Sequence, residues 1–480
     1  MNLLVVGFVI GTALLIEGGL IALPLFAALW YHEPVMPWLI TMAVCLVPGF
    51  LLRRKKVETE GLLSKEGVVS TGLCWIALSL TGMLPFLLCG AVTSPIDAFF
   101  ETVSGYTTTG STILRSVEAL PRSLLLWRSF LHWIGGMGIL VFMMALIPLS
   151  GGTQMNLMKA ESPGPSISKL VPKAQDTARI LYAIYGVMTI VTIVILFLLK
   201  MPLFDAVCIG FGAAGTGGFS VLDSGCASYT YAQQVVITIA MTLFGVNFNF
   251  YYLFYLKRIK DALRMEEVRA YLAILLGAIL LVTIDIAWVG KASNVLLTFH
   301  QAAFHCSSIM TTTGYATLDM NAWPSFSRTI IMLLMIVGAC AGSTGGGLKV
   351  SRVILLFKSL GRECTKILHP AAIKKVHMDG RTVDETVIRS TQTYFFIYVL
   401  GIVLSILLVS IDNRGWDTTI SAVFATFNNI GPGFGAVGSM DNYADFSPFA
   451  KVVLSMDMLI GRLEIFPIVL LFTKQTWRKF

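Results

Sequence analysis

Apolar runs follow one another along the chain, and their lengths fall into two classes. Runs near the ~20 residues that a bilayer requires occupy 3–30, 36–52, 66–90, 123–148, 177–200, 231–256, 269–289, 391–411 and 448–473, and another begins near Ser327. Four shorter runs, 96–107, 203–214, 295–310 and 416–427, cannot reach across. Each short run follows a long one, stops at a glycine-containing turn and gives way to another long run. The turns read TTTGST (107–112), TGGFS (216–220), TTTGYA (311–316) and NNIGPGFG (428–435). In every copy a glycine stands two residues after Thr or Asn: Thr108/Gly110, Thr216/Gly218, Thr312/Gly314 and Asn429/Gly431. The spacing of roughly a hundred residues predicts one unit used four times, at 61–150, 151–260, 261–375 and 376–480. Residues 1–60 lack such a turn and form a two-helix extension ahead of the first unit. The expected fold is an all-α polytopic membrane protein. It has four pseudo-repeats of outer helix, re-entrant half-helix and inner helix about one axis, plus two extra N-terminal transmembrane helices.

Composition agrees with a bilayer. Of 480 residues 56% are hydrophobic and only 13% charged, about half the charge of a soluble domain, and the mean hydropathy is +0.78. The net charge of +8 is not spread as a nucleic-acid face would be. It gathers where apolar runs end, at Arg53–Lys56, Lys257–Lys260, Lys358–Arg389 and Lys474–Lys479. Threading the runs alternately puts these clusters on one side, as the positive-inside rule requires, with the N-terminus cytoplasmic. Eight scattered cysteines without a CxxC spacing imply neither a disulfide scaffold nor a metal site. The N-terminus lacks a basic start and a small-residue cleavage site, so it reads as a retained helix. There is no nucleophile–His–Asp set and no Walker spacing, so an enzyme is not expected, nor is a cofactor on this chain.

Non-helical backbone at membrane depth leaves donors and acceptors unpaired, and survives only when buried in protein or beside a water-filled path. Four such turns in register therefore argue for a path; extracellular turn glycines are the alternative. Backbone carbonyls stacked around an axis can replace the hydration shell of potassium, and glycine gives the chain the freedom to aim them. Each half-helix also ends toward that axis with about −0.5 charge from its macrodipole, which favours a cation.

A second irregular stretch interrupts the inner run of the third unit. In Gly338–Gly347, GACAGSTGGG, five of ten residues are glycine, at about 1 kcal/mol each against alanine in a helix. This predicts a loop at mid-membrane depth beside a cavity, with close packing through small residues as the alternative. Arg462 lies in the last inner run, where an arginine costs about 2.5–3.5 kcal/mol at the span centre. It should face a cavity or a partner helix, while Glu464, about 200° further round a helix, should point elsewhere. His132, His300 and His305 read as satisfied core histidines, and Asn247 and Asn249 as pairing across helices. Asp223, Asp319, Asp441 and Asp445 could concentrate cations at the outer mouth.

These turns, with LHWIGGMGIL (131–140), GACAGSTGGGLKV (338–350) and IGRLEIFP (460–467), resemble the TrkH/TrkG/KtrB superfamily of potassium uptake proteins over essentially the whole chain. The two-helix extension is most like the TrkH branch. The resemblance implies a single pore per subunit, a homodimer and a bacterial inner-membrane location. It also implies a cytosolic TrkA-type partner binding NAD or ATP. Carried over, potassium would meet the carbonyls of Thr108, Thr109, Thr216, Gly217, Thr312, Thr313, Asn429 and Ile430. Gly110, Gly218, Gly314 and Gly431 would shape the loops. Gly110 matches a position that is serine in related sodium-carrying plant proteins. Gly338, Gly342, Ser343, Thr344, Gly345, Gly346 and Gly347 would form the intramembrane gate, with Arg462 an electrostatic barrier beneath the filter. The fourth loop departs with Asn, Ile and Pro, so the ring is only pseudo-fourfold. A secondary transporter coupling potassium to protons or sodium is the alternative function.

Overall fold

Why the chain breaks its helices where it does is the main question the architecture poses. The structure, a computed structural model, describes residues 2–54, 64–138, 174–289, 294–372 and 374–477. Among these residues it is helical nearly throughout; the two short strands, His377–Met378 and Arg381–Thr382, pair as a hairpin. Four times in succession a long helix leads to a short one, a glycine turn and a further helix. The short helices are Pro95–Tyr106, Leu203–Gly215, Val295–Met310 and Trp416–Phe427, within a residue or so of the four short runs read from sequence. Ahead of them Leu3–Leu20 and Ala22–Trp30 pack on Met36–Arg53 and Ser64–Gly82.

Apolar residues face outward as well as inward. On Ala174–Leu198 the side chains of Val187, Ile190, Val194 and Leu198 are exposed at helical spacing, while Tyr185 and Leu196 are buried. In water such a surface would be unfavourable by about 25 cal/mol per Å²; against lipid it is the expected state. Buried apolar residues form separate clusters, one joining the extension to the first and fourth units and others within the second and third.

Among the described residues, six helices are long and apolar enough to cross a membrane, or seven with one bent pair counted as a span. Ten were expected. The difference lies in the inner helices, three of which are broken. The expected span 231–256 is two helices, Tyr231–Phe244 and Phe248–Tyr255, bent by 88°. Gly245 ends the first, and the Asn247 side chain caps the second by accepting from Asn249 N–H at 2.9 Å. The third inner run breaks at the glycine stretch between Ser325–Val337 and Val350–Leu368. The expected span 448–473 stops at Arg462, and Glu464 and Ile465 take φ of 56° and 70° before a short helix at Phe466–Val469. Pro467 sits in the first turn of that helix, so it could not have continued the preceding one. The first inner helix runs Arg122–Met137 and meets Gly138 at φ +83°; the remainder of the expected 123–148 span lies outside the described residues.

Glu17 explains how the extension is attached. It is fully buried in the first span, where a carboxylate persists only with partners. It accepts from the Tyr106 hydroxyl at 2.7 Å, the Thr81 hydroxyl at 2.6 Å and the Cys45 thiol at 3.6 Å. Tyr106 is the last residue of the first half-helix, so the extension holds the segment that ends at the first turn. Glu17→Ala strands the buried Tyr106 hydroxyl, and we expect it to lower stability by about 1–3 kcal/mol, read as an earlier thermal unfolding transition in detergent. Glu17→Gln, which still accepts, should lose less than half of that.

Candidate ion-conduction site

Each half-helix ends in the same hydrogen-bonded cap. The amides of Thr109, Gly217, Thr313 and Ile430 reach back to Ser104, Gly212, Ser308 and Ala425 carbonyls at 2.8–2.9 Å. The preceding amides of Thr108, Thr216, Thr312 and Asn429 bond Gly105, Ala213, Ile309 and Thr426 at 3.0–3.3 Å. This is a Schellman closure, whose turning residue is usually glycine in the left-handed region. Here it is Thr108, Thr216, Thr312 and Asn429, with φ of 57°, 53°, 59° and 55°. A β-branched residue there stores about 1–3 kcal/mol of strain, which surrounding contacts must hold. In TTTG turns the neighbouring threonines supply those contacts. Thr107 and Thr109 share a hydroxyl hydrogen bond of 2.8 Å, as do Thr311 and Thr313, and the first hydroxyl of each pair also bonds the helix carbonyl four residues back.

The four turns close into a ring. A Cβ built on Gly110 would stand 2.6 Å from Gly218 N, and one on Gly218 2.6 Å from Thr313 O. One on Gly314 would overlap Ile430 O, and one on Gly431 would stand 2.7 Å from Thr109 O. Each glycine thus meets the backbone of the next loop, and the fourth returns to the first. No side chain fits at these contacts, and Gly110 at φ +81° would be strained by one in any case. Asn429 adds a cross-link, donating from Nδ2 to Thr109 Oγ1 and to Met458 O at 2.9 Å.

Within this ring the eight residues whose carbonyls were singled out, Thr108, Thr109, Thr216, Gly217, Thr312, Thr313, Asn429 and Ile430, are buried. No hydrogen bond among the described residues goes to any of those eight carbonyls. Buried carbonyls are ordinarily paired, so eight unclaimed ones in one ring form a concentrated set of oxygen dipoles. Gly431 differs: its carbonyl accepts from Tyr443 and Ser111 hydroxyls at 2.8 and 3.2 Å.

Polar side chains behind the ring hold the loops in place. Arg128 and Glu101, both buried, pair at 2.8 Å. Glu101 accepts from Thr112 and Ile113 beyond the first loop, while Arg128 donates to Ser220 O and lies over the Phe219 ring of the second. His132 donates from Nδ1 to Gly105 O at 2.9 Å and accepts at Nε2 from Phe219 N at 3.2 Å. The Thr317 amide donates to His305 Nε2 at 3.4 Å after the third loop, and His300 pairs with Gln234 at 2.8 Å. Of the histidines read as satisfied core residues, His132 and His300 are paired, whereas His305 Nδ1 has no partner among the described residues; His132 and His305 tie down backbone beside the glycine turns. Their role, and that of Glu101 with Arg128, was not legible because each pairing joins distant segments.

On one side a cavity of about 120 Å³ opens against all four glycines, with Asp223 and Asp441 in its wall. Burial alone would raise the Asp223 pKa, but the Val117 amide and Ser116 hydroxyl hold it below the ordinary carboxylate range, so it is charged at neutral pH. Asp445 is instead paired with Arg115 at 2.7 Å, and Asp319 caps the turn at Met320–Ala322.

On the other side lies the glycine stretch of the third unit. It leaves and rejoins the helix at one point, since a Cβ on Gly338 would stand 2.8 Å from Gly347 Cα. At its tip Gly346 N–H donates to Thr312 Oγ1 at 2.6 Å, and a Cβ on Gly345 would stand 2.8 Å from Thr311 O. Ser343 bonds Cys340 O and Thr344 bonds Phe244 O; Gly342 is exposed. Arg462 donates to Thr344 O at 2.8 Å and to Gly135 O and Gly136 O at 2.5 Å. It therefore clasps the loop to the end of the first inner helix. Lys349, buried at the loop's exit, donates to Gly345 O. Glu464, expected to face elsewhere, pairs with Arg352 at 2.5 Å on the helix that follows the loop. The helix break at 463–465 removes the rotation on which that expectation rested.

Comparison with known proteins places this geometry. The family described as "TrkH: Cation transport protein" matches residues 35–479. The chain is 34% identical to "Trk system potassium uptake protein TrkH" of Salmonella typhimurium, over 98% of each chain. It is 35% identical to the protein of the same description from Halomonas elongata, over 87% of each. Its fold superposes with a TM-score of 0.90 on "Crystal Structure of the Potassium Transporter TrkH from Vibrio parahaemolyticus", at 30% identity and full coverage of both chains.

The buried pair behind the ring gives a direct test. Arg128→Met leaves Glu101 uncompensated and should destabilise by about 3–5 kcal/mol. Combining it with Glu101→Gln should restore most of that loss, because no buried charge is then left alone. Thermal unfolding of the two single variants and the double variant in detergent measures the coupling.

Proposed function

The chain belongs to the TrkH family of cation transport proteins, and on that footing we propose that it is the pore-forming subunit of a potassium uptake system. The four units 61–150, 151–260, 261–375 and 376–480 surround one pore, and 1–60 braces the first. Potassium enters from the mouth at Asp223 and Asp441 and sheds water against the eight carbonyls. It then passes the glycine stretch Gly338–Gly347 to the cytoplasm. Four half-helix C-termini add negative potential toward the axis and disfavour anions. The membrane potential supplies about 2.3 kcal/mol per charge per 100 mV, which concentrates potassium without chemistry on this chain.

The observation that carries the reading is the closed ring of eight buried carbonyls without donors among the described residues. Below it the glycine stretch acts as the gate. Its tip rests on Thr312, and the Arg462 guanidinium beside it repels cations from an idle path while fastening the loop. A homodimer in the bacterial inner membrane with its N-terminus in the cytoplasm, regulated by a cytosolic TrkA-type subunit that binds NAD or ATP, completes the proposal. A second reading, coupling of potassium to protons or sodium, draws on Asp457. This buried residue of the last inner helix accepts from Ser405 at 2.5 Å through Oδ1, while Oδ2 has no partner among the described residues. A reversal potential that shifts with pH at fixed potassium would favour it.

Purified protein in potassium-loaded liposomes should carry a potassium-selective flux, and its absence with and without the cytosolic partner would defeat the proposal. Gly110→Ser inserts a side chain against Gly218 and should lower the potassium-to-sodium permeability ratio by about tenfold, the effect of about 1.4 kcal/mol at the site. An unchanged ratio counts against the filter assignment.

A further inference from the structure

One carboxylate outside the pore wall holds both ends of the glycine stretch. Glu267 lies in the first turn of the outer helix Glu266–Val289 and is 4% exposed. Its Oε1 accepts from Ala341 N–H at 2.6 Å, where the stretch begins, and from Ser351 N–H at 3.1 Å, where the chain becomes helical again. Its Oε2 accepts from Asn247 Nδ2 at 3.1 Å. Asn247 is the cap at the bend of the second inner helix. That bend touches the stretch directly, since Cys340 N–H donates to Gly245 O and Phe248 N–H to Gly342 O.

The chemistry suits a latch. Amides in the first turn of a helix have no intrahelical acceptor, and Ser351 is such an amide at the start of Val350–Leu368. A carboxylate there satisfies the donor and interacts favourably with the helix N-terminus. The same oxygen also holds Ala341, ten residues earlier, so the two ends of the stretch share one acceptor. Charge-assisted bonds of this kind are about twice as strong as neutral ones. Arg462 clasps the stretch near its tip from the fourth unit; Glu267 fastens it at the base from the third.

We propose that Glu267, with Asn247, is the positioning residue that keeps the glycine stretch seated beneath the filter, so that losing it opens the path without altering selectivity. The inference rests on the gate reading given above. In proteoliposomes Glu267→Ala should raise basal potassium flux roughly tenfold, the effect of about 1.4 kcal/mol in the closed–open balance, with the potassium-to-sodium ratio unchanged. Glu267→Gln keeps an oxygen for Ala341 and Ser351 but offers Asn247 no acceptor, so its rise should be smaller; Asn247→Ala should behave likewise. Each variant is checked for a monodisperse profile on size exclusion, and the Gln and Asn247 variants carry the test if Glu267→Ala does not fold. Deleting Gly345–Gly347 sets the open ceiling, and adding Glu267→Ala to that deletion should change nothing more. If the deletion conducts potassium but the folded Glu267 and Asn247 variants conduct no more than the unaltered chain, the latch is overturned and the pore stands. If even the deletion shows no potassium-selective flux, the functional reading itself fails.

Discussion

Unclaimed backbone oxygen is the constraint around which this molecule is built. A turn at membrane depth must find partners for its amides and carbonyls or remain unfavourable by several kcal/mol per group. Here two amides of each turn are satisfied by folding back onto the half-helix, in a cap that leaves the carbonyls without a donor among the described residues. The arrangement depends on a left-handed residue at each corner, three of them threonine. Their strain is borne by the hydroxyl pairs of the TTTG turns, by Asn429 and by the backbone of the adjoining loop. No loop holds this shape alone; each leans on the next, and the polar side chains behind them keep the ring from collapsing inward.

The inner side of the ring is governed by different residues. Arg462, Lys349 and Glu267 all bond main-chain atoms of the glycine stretch or its edges, and Glu464 pairs with Arg352 just beyond it. Each of these charges sits at a helix break or, in the case of Glu267, reaches one from the first turn of an outer helix. A helix interior has no free amides or carbonyls to offer a buried charge, whereas a break exposes several. Breaks in the second, third and fourth inner helices therefore create the sites where buried charge can be held, and the charges in turn keep the breaks from closing into continuous helix.

Much of this was legible in the sequence, and what was not has a physical reason. Half-helices were found because their lengths fall short of a bilayer and glycine follows them at a constant offset. The stretch at Gly338–Gly347 was found because five glycines cannot be overlooked in an apolar run. The 88° bend at Gly245–Asn247 and the break at Leu463–Ile465 were missed. One glycine with an Asn cap, or one proline two residues beyond the break, is a faint mark against some twenty apolar neighbours. Glu17, Glu101, Arg128 and Glu267 were not singled out from sequence, because their partners lie on distant segments and nothing local names them. Arg462 was expected near the path below the turns; that it would grip Thr344 and the end of the first inner helix required the breaks to be known.

The four loops belong to one polypeptide, and the fourth does not copy the others. In a channel assembled from identical subunits any substitution appears at every quadrant at once. Here Asn429 can bridge to Thr109 and Met458 while Thr312, across from the first loop in chain order, receives Gly346. Mutational dosage is therefore one in four, and each corner of the ring is free to specialise while its neighbours stay as they are.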